Sequence, residues 1–189
     1  MVSLVSEFKK TIKNDHILDP KTKFLIAVSG GLDSMCLLSL LGELDLNSKN
    51  VFVVYVDHQQ RQESVIEENA VRDQAQLQGY NFLSQKIFVQ ELNNLSETQL
   101  RNLRYNSLEA IAAELKIGLV LTAHHLDDQA ETFLMQIFRS GTVMGVKGID
   151  RFSQRNGLSF YRPLINISKK QLLLYAQEKK YFFSKTKRI

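Results

Sequence analysis

Phe24-Leu-Ile-Ala-Val-Ser-Gly-Gly-Leu-Asp-Ser34 joins a wholly apolar run to a glycine turn and then to the start of a helical pattern. The run 24–28 is typical of a strand that is buried on both faces. Apolar residues with helical spacing follow over 32–44. A strand, a tight turn and a helix in this order are the repeating unit of parallel α/β sheets. The segment therefore predicts one strand–turn–helix corner of such a sheet.

The rest of the chain repeats this alternation of buried strands and amphipathic helices. We predict strands at 51–56, 84–89 and 118–122, and helices at 64–79, 96–116, 127–139 and 168–180. Ser96 is the expected N-cap of the long helix. The segment 140–157 bears glycines and is predicted to be irregular. We expect one Rossmann-like α/β domain over 1–189, with ligands at the carboxyl ends of its strands.

The composition excludes several classes of protein. The chain has 189 residues and a single cysteine, Cys36, which rules out a disulfide framework and a Cys-based zinc or iron–sulfur site within one chain. We expect Cys36 to be an inert core residue. No segment approaches the about 20 apolar residues of a membrane span, so the sequence predicts a cytoplasmic protein without a membrane partner.

The charge is unevenly distributed along the chain. Residues 1–150 carry 14 Lys and Arg against 19 Asp and Glu, whereas 151–189 carry 10 against 1. This asymmetry indicates either a basic face for a polyanion such as nucleic acid, or a solvated basic tail. Charge alone leaves both interpretations open, and it leaves open whether the protein forms a homodimer.

The glycine turn has the chemistry of a phosphate site. Its glycines allow consecutive backbone N–H groups to converge, and the helix after the turn offers free donors and a partial positive charge. Ser29 and Ser34 add hydroxyl groups. Asp33 would repel a phosphate unless a cation intervened, which points to Mg²⁺ between Asp33 and a polyphosphate. The lysine of the common P-loop and the glycine spacing of the dinucleotide fingerprint are both missing.

A second polar cluster comes after the strand predicted at 118–122. Thr122-Ala-His-His-Leu-Asp-Asp-Gln-Ala-Glu-Thr132 contains two imidazoles and three carboxylates. The spacing predicts that His124, Asp128 and Glu131 share one helix face. Such a set is suited to Mg²⁺, to zinc, or to an ammonium group poised for attack, and helix-start acids that bind free N–H groups are the structural alternative.

The turn resembles the PP-motif, SGGxDS, of the N-type ATP pyrophosphatases, whose fold is that of the adenine nucleotide alpha hydrolases. The second cluster, with Arg139-Ser-Gly141 and Gly145-Val-Lys-Gly-Ile149, resembles the signature of the tRNA(Ile)-lysidine synthetase family. Three further segments resemble motifs of that family. They are Val56-Asp-His58 through Arg61-Gln-Glu-Ser64, Arg101-Asn-Leu-Arg-Tyr105 and Arg162-Pro-Leu164.

The resemblance implies an ATP-dependent ligase that joins the ε-amino group of free L-lysine to C2 of the wobble cytidine of tRNA(Ile) with the anticodon CAU. It implies that Asp33, Arg104, His124, Asp128 and Glu131 are catalytic, with Mg²⁺ near Asp33. It also implies that the ATP phosphates bind to Ser29, Gly30, Gly31, Leu32, Asp33 and Ser34. The family's helical tRNA-binding region is expected to be absent from this chain. A tRNA thiolase and a non-catalytic RNA-binding remnant remain alternatives.

Overall fold

A computed structural model describes residues 3–19, 21–57, 64–86, 96–140 and 147–179. Within these ranges, six strands form one sheet, and they are β1 (Phe24–Val28), β2 (Val51–Asp57), β3 (Asn81–Lys86), β4 (Leu119–Leu121), β5 (Phe152–Arg155) and β6 (Leu158–Tyr161). Their order across the sheet is β3-β2-β1-β4-β6-β5. All neighbouring pairs are parallel except β5 and β6. The expected Rossmann-like α/β fold with a largely parallel sheet is confirmed.

In the described part of the chain, six α-helices accompany the sheet. They are α1 (Leu4–Asp15), α2 (Leu32–Gly42), α3 (Ser64–Leu77), α4 (Glu97–Leu115), α5 (Leu126–Ser140) and α6 (Lys169–Lys179). Ser96 caps α4 through a reciprocal pair of hydrogen bonds with Gln99, which confirms the predicted N-cap. Within the described ranges, no helix has the length and the apolar character needed to cross a membrane.

The sheet separates two hydrophobic cores. Alternate residues of β1 point to opposite faces, so that Phe24, Ile26 and Val28 enter the first core and Leu25 enters the second. The first core also receives residues of α1, α2 and α6, whereas the second receives the inner face of α4. Helix α2 is buried continuously from Ser34 to Leu41, which fixes the corner after β1.

Two parts of the fold differ from the sequence-based expectation. The third strand begins at Asn81, earlier than predicted, and 87–89 lie outside the described residues. The segment 140–157 is not irregular throughout, because β5 pairs with β6 across a tight Asn156-Gly157 turn. Asn156 and Gly157 both have positive φ, which is the backbone form of a two-residue hairpin turn.

Polar contacts of Asp15 attach the end of helix α1 to strand β6. Its last residue, Asp15, accepts hydrogen bonds from the Tyr161 hydroxyl at 2.6 Å and from Arg151 Nη1 at 3.0 Å. Tyr161 is fully buried, so its hydroxyl needs this partner. Burial and the bond to Asp15 both raise the pKa of Tyr161. The contact therefore anchors α1 against β6.

The strand order creates a single switch point at the centre of the sheet. The chain passes from β1 to β2 and β3 on one side, and β4 then pairs with the opposite edge of β1. Helices that leave β1 and β4 depart on different faces at such a point, and a crevice opens between the two strand ends. The loops after Val28 and Leu121 therefore meet at this crevice.

Candidate functional site

A cavity of about 230 Å³ lies at the switch point. Its walls come from the residues after β1, the residues after β4, and one side of α4. The lining residues are Ala27, Val28, Ser29, Gly31, Asp33, Ser34, Val56, Arg104, Thr122, Ala123, His124 and Asp128. The two polar clusters recognised in the sequence are thus brought to one cavity by the topology of the sheet.

The loop after β1 is held in a fixed shape by its own polar groups. Ser34 Oγ accepts a hydrogen bond from the Ser29 backbone N–H at 3.1 Å and donates one to the Gly31 carbonyl at 3.0 Å. Gly31 is the N-cap of α2 and has no side chain to occupy the first N–H groups of the helix. Free N–H groups and the positive end of a helix dipole are suited to binding an anion at the cavity wall.

Four of the six residues predicted to bind phosphate line the cavity, namely Ser29, Gly31, Asp33 and Ser34. Gly30 and Leu32 are not lining residues. Gly30 is buried with φ +75°, and a Cβ added there would lie 2.8 Å from the Glu67 Cβ. Leu32 packs against the first core. Gly30 and Leu32 therefore support the loop on the side that faces away from the cavity.

Asp33 has the surroundings expected of a cation ligand. Its Oδ1 is buried and has no hydrogen-bond partner among the described residues. A buried carboxylate oxygen that nothing else satisfies fits a divalent cation held jointly with phosphate oxygens and water, which is the usual mode for Mg²⁺. No three His, Cys, Asp or Glu side chains come together as a metal group in the described part of the chain. A zinc site built from three protein ligands therefore lacks its donor set there.

His124 lies in the cavity just before α5. Its Nδ1 is 2.9 Å from the hydroxyl of Thr122, which is buried beside β6. Burial, then the nearby positive charges of Arg162 and Arg104, lower the pKa of His124 to about 3. The imidazole is therefore neutral at physiological pH and offers the cavity a hydrogen-bonding group without a charge.

This lowered pKa predicts how stability depends on pH. The native state holds His124 neutral, whereas the unfolded chain takes up a proton near pH 6.5. We expect the wild type to lose stability relative to His124→Gln as the pH falls from about 6.5 towards 3, at a little over 1 kcal/mol per pH unit. Urea unfolding of both proteins at pH 7, 5.5 and 4.5 measures the difference. If the difference in unfolding free energy between the two proteins stayed constant between pH 7 and 4.5, the lowered pKa of His124 would be contradicted.

Asp128 and His125 connect the two polar clusters. Asp128 is buried, and its Oδ2 accepts the His125 backbone N–H at 2.9 Å, which caps the start of α5. The His125 ring is completely buried, with Nε2 3.4 Å from Asp33 Oδ2 and Nδ1 3.6 Å from Asp128 Oδ2. One imidazole therefore lies between the carboxylate of the phosphate loop and that of α5.

Three arginines place positive charge near His124, and one of them, Arg104, lines the cavity. Arg104 is half-buried in the lining, and burial lowers its pKa, although a guanidinium stays protonated at neutral pH. Arg101 is exposed, with its Cζ 5.6 Å from the centre of the Tyr105 ring. Arg162 is buried and donates to the Asp150 carbonyl at 2.7 Å. Arg162 belongs to the motif at 162–164 and is not among the residues that the resemblance assigns to the site.

Glu131 is placed differently from the other four predicted catalytic residues. It is exposed, it lies one turn beyond Asp128 on α5, and it does not line the cavity. The expectation that His124, Asp128 and Glu131 share a helix face is wrong for His124, because α5 begins only at Leu126. His124 reaches the cavity from the loop instead.

The cysteine has the environment that was expected. Cys36 is buried on α2, and its Sγ donates to the Leu172 carbonyl at 3.4 Å. Burial, and then the charge of Asp33, raise the pKa of the Cys36 thiol to about 12. The thiol is therefore not a nucleophile at neutral pH, because the reactive form is the thiolate.

Several sequence motifs fall outside the described residues. These are 58–63 of the segment after β2, 141–146 of the glycine-bearing segment, and the basic end 180–189. The structure describes the chain again from Lys147, and α5 contacts this part directly. Gln129 Oε1 accepts the Ile149 N–H at 2.6 Å, and Gln136 Oε1 accepts the Lys147 N–H at 2.9 Å.

A family model described as a PP-loop domain matches residues 2–186. The chain is 33% identical over 174 residues to the bifunctional protein TilS/HprT of Listeria monocytogenes, covering 89% of this chain and 27% of that protein. It is 34% identical over 193 residues to the tRNA(Ile)-lysidine synthase of Thermosipho africanus, covering 97% of this chain and 43% of that protein. The chain thus spans less than half the length of these relatives.

Solved structures share the fold at low sequence identity. The U34-tRNA thiolase NcsA of Methanococcus maripaludis, with its 4Fe–4S cluster, matches with a TM-score of 0.79 and 18% identity, over 97% of this chain and 67% of that one. The NMN synthetase of Francisella tularensis matches with a TM-score of 0.60 and 16% identity, over 94% of this chain and 71% of that one. At these identities the likeness concerns the fold alone.

Proposed function

The chain belongs to the PP-loop domain family, and we propose that it carries the ATP-using site of a tRNA(Ile)-lysidine synthetase. The observation that carries this proposal is the single cavity that joins the loop 29–34 to Arg104, His124 and Asp128. An ATP-using ligase must hold the phosphorus atom of ATP and the attacking atom of the acceptor close enough to react. Relatives named for lysidine synthesis support the choice of acceptor.

The phosphate half of the cavity would bind ATP through the backbone N–H groups at the start of α2 and the hydroxyls of Ser29 and Ser34. A Mg²⁺ ion bound at Asp33 would neutralise phosphate charge and favour departure of pyrophosphate. Gly30 and Leu32 hold the loop in place. In the first step the cytidine O2 forms a bond to the α-phosphorus, and the bond from that phosphorus to the bridging oxygen breaks.

The acceptor half would bind the cytidine and the lysine. Arg104 would offset the negative charge of the adenylated intermediate. Asp128 would bind the lysine ammonium and take up a proton as the amine becomes a nucleophile, and the exposed Glu131, one turn further along α5, would attract the same cation. In the second step the lysine nitrogen forms a bond to C2, the C2–O2 bond breaks, and AMP leaves with that oxygen. His124 would contribute a neutral hydrogen bond.

The test is transfer of labelled lysine to unmodified tRNA(Ile) with a CAU anticodon, in the presence of ATP and Mg²⁺. The matched substrate control is the same tRNA with uridine at the wobble position, and the matched protein control is Asp128→Asn. We expect lysine in the cytidine tRNA alone, with one AMP formed per lysine transferred. Equal labelling of both tRNAs, or ATP binding without any transfer, would overturn the proposal.

The same assay distinguishes the two alternatives. A thiolase would transfer sulfur rather than lysine, and such chemistry requires a reactive thiol or a cluster-binding set of cysteines. Cys36 is the single cysteine, and it is buried with a raised pKa. A non-catalytic RNA-binding remnant would bind tRNA without consuming ATP. We favour the ligase over both, because the lining joins the loop 29–34 to the Asp128 carboxylate, which suits an acceptor that carries an amine.

A further inference from the structure

We propose that His125 is a positioning residue that orients the Asp33 carboxylate towards the cation it would bind. The inference rests on the proposed function for the identity of the ligand, ATP with Mg²⁺. It concerns a residue that the motif comparison did not place in the site. His125 does not line the cavity, so it would act through Asp33 and not by touching substrate.

The first observation is the unequal environment of the two Asp33 oxygens. Oδ2 lies 3.4 Å from His125 Nε2. Oδ1 is buried and has no hydrogen-bond partner among the described residues. A ring nitrogen this close to one oxygen limits how the carboxylate can turn, so that the other oxygen keeps a defined direction, and Asp33 lines the cavity. Groups around a ligating carboxylate commonly orient it for its metal.

The second observation is that the His125 ring cannot easily turn away. Its side chain is fully buried, and the backbone N–H of the same residue donates to Asp128 Oδ2 at 2.9 Å. On the Nδ1 side the ring faces Asp128 at 3.6 Å and Asp127 at 3.8 Å. Asp127 is itself held, because its Oδ2 accepts the Lys169 N–H at the start of α6 at 2.8 Å.

The two ring nitrogens of His125 therefore face different parts of the site. Nε2 faces the phosphate loop after β1, and Nδ1 faces the acids of α5 after β4. Glutamine places its amide nitrogen near the position of Nε2, whereas asparagine places it near Nδ1. The two substitutions therefore separate the contact with Asp33 from the contact with α5, and both keep a polar amide in the buried site.

The test measures ATP binding against Mg²⁺ concentration in wild type, His125→Gln, His125→Asn and His125→Ala, by calorimetry and without tRNA or lysine. We expect His125→Gln to keep the half-saturating Mg²⁺ concentration within about threefold of wild type, and His125→Asn and His125→Ala to raise it by about tenfold or more. Asp127→Asn is the matched control, because it leaves the Nε2 side of the His125 ring unchanged, and we expect no shift. Thermal unfolding of every variant checks that the proteins compared are folded.

Each outcome has a distinct meaning. Equal Mg²⁺ dependence in folded His125→Gln and His125→Asn would overturn the positioning role and leave the proposed function standing. If His125→Ala proved unfolded, the Gln and Asn pair would decide alone. A wild type that bound ATP with no dependence on Mg²⁺ would remove both the role of Asp33 and this inference. Mg²⁺-dependent binding without lysine transfer would instead overturn the proposed ligase alone.

Discussion

Asp33→Asn is expected to lower ATP-dependent lysine transfer by about 100-fold or more, the scale of losing a principal electrostatic contact in the transition state. The substitution keeps the volume of the side chain and removes its charge. Oδ1 is buried and has no hydrogen-bond partner among the described residues, so loss of the charge removes a desolvation cost, and an amide oxygen can keep the 3.4 Å contact of Oδ2 with His125. We therefore expect the free energy of unfolding to stay equal or to rise slightly.

The sign of the change in ATP affinity should depend on Mg²⁺. Without the metal, a carboxylate beside the phosphates repels them, and Asp33→Asn should bind ATP as well as wild type or better. With Mg²⁺ the variant should bind more weakly, because it has lost a ligand of the ion. Calorimetric titration in Mg²⁺ and in chelator measures both. Asp45→Asn makes the same change at a residue beyond α2, outside the cavity, and should alter neither value. Weaker binding of the Asp33 variant in chelator would count against the assignment.

Gly30→Ala is expected to abolish ATP binding and to destabilise the fold. The left-handed backbone at φ +75° costs a non-glycine residue about 1–2 kcal/mol. The added methyl group would also lie 2.8 Å from the Glu67 Cβ, within a buried corner, and such overpacking adds about 1–3 kcal/mol. Relief of the clash must move either the phosphate loop or α3. Urea unfolding and ATP titration measure the two effects.

Two other glycines separate these causes. Gly157 has φ +79° with open space around the position of a Cβ. Gly157→Ala should therefore lose only the stability that the left-handed backbone costs, and it should bind ATP normally. Gly118 has open space and no positive φ, so Gly118→Ala should stay within about 0.5 kcal/mol of wild type. If Gly30→Ala were no more destabilised than Gly157→Ala, the contact with Glu67 would not be restrictive.

The elements with local sequence signals were predictable. Runs of apolar, β-branched residues indicated β1 and β2, and Ser96 indicated the start of α4. The β5–β6 hairpin was missed, although Asn156-Gly157 is a strong signal for a two-residue turn. The long glycine-bearing segment in front of it favoured an irregular interpretation, and alternation over four residues is a weak pattern on either side of a turn.

The site was predictable in its residue types and not in its geometry. Motif resemblance found the loop 29–34, Arg104, His124 and Asp128, which the cavity brings together. It could not find the contact of His125 with Asp33, because that contact depends on the order of β1 and β4 in the sheet. The residue spacing predicted that His124 lies on a helix, because spacing alone does not show that α5 begins two residues later.

The two cores on opposite faces of β1 have a consequence for how substitutions spread through the structure. The phosphate loop leads into α2, which is packed in the first core, whereas Arg104 is carried by α4, which is packed in the second. Substitutions among the α4 residues of the second core are therefore expected to leave the packing of α2 in the first core unchanged. The wall that carries Arg104 can thus vary separately from the packing behind the loop 29–34.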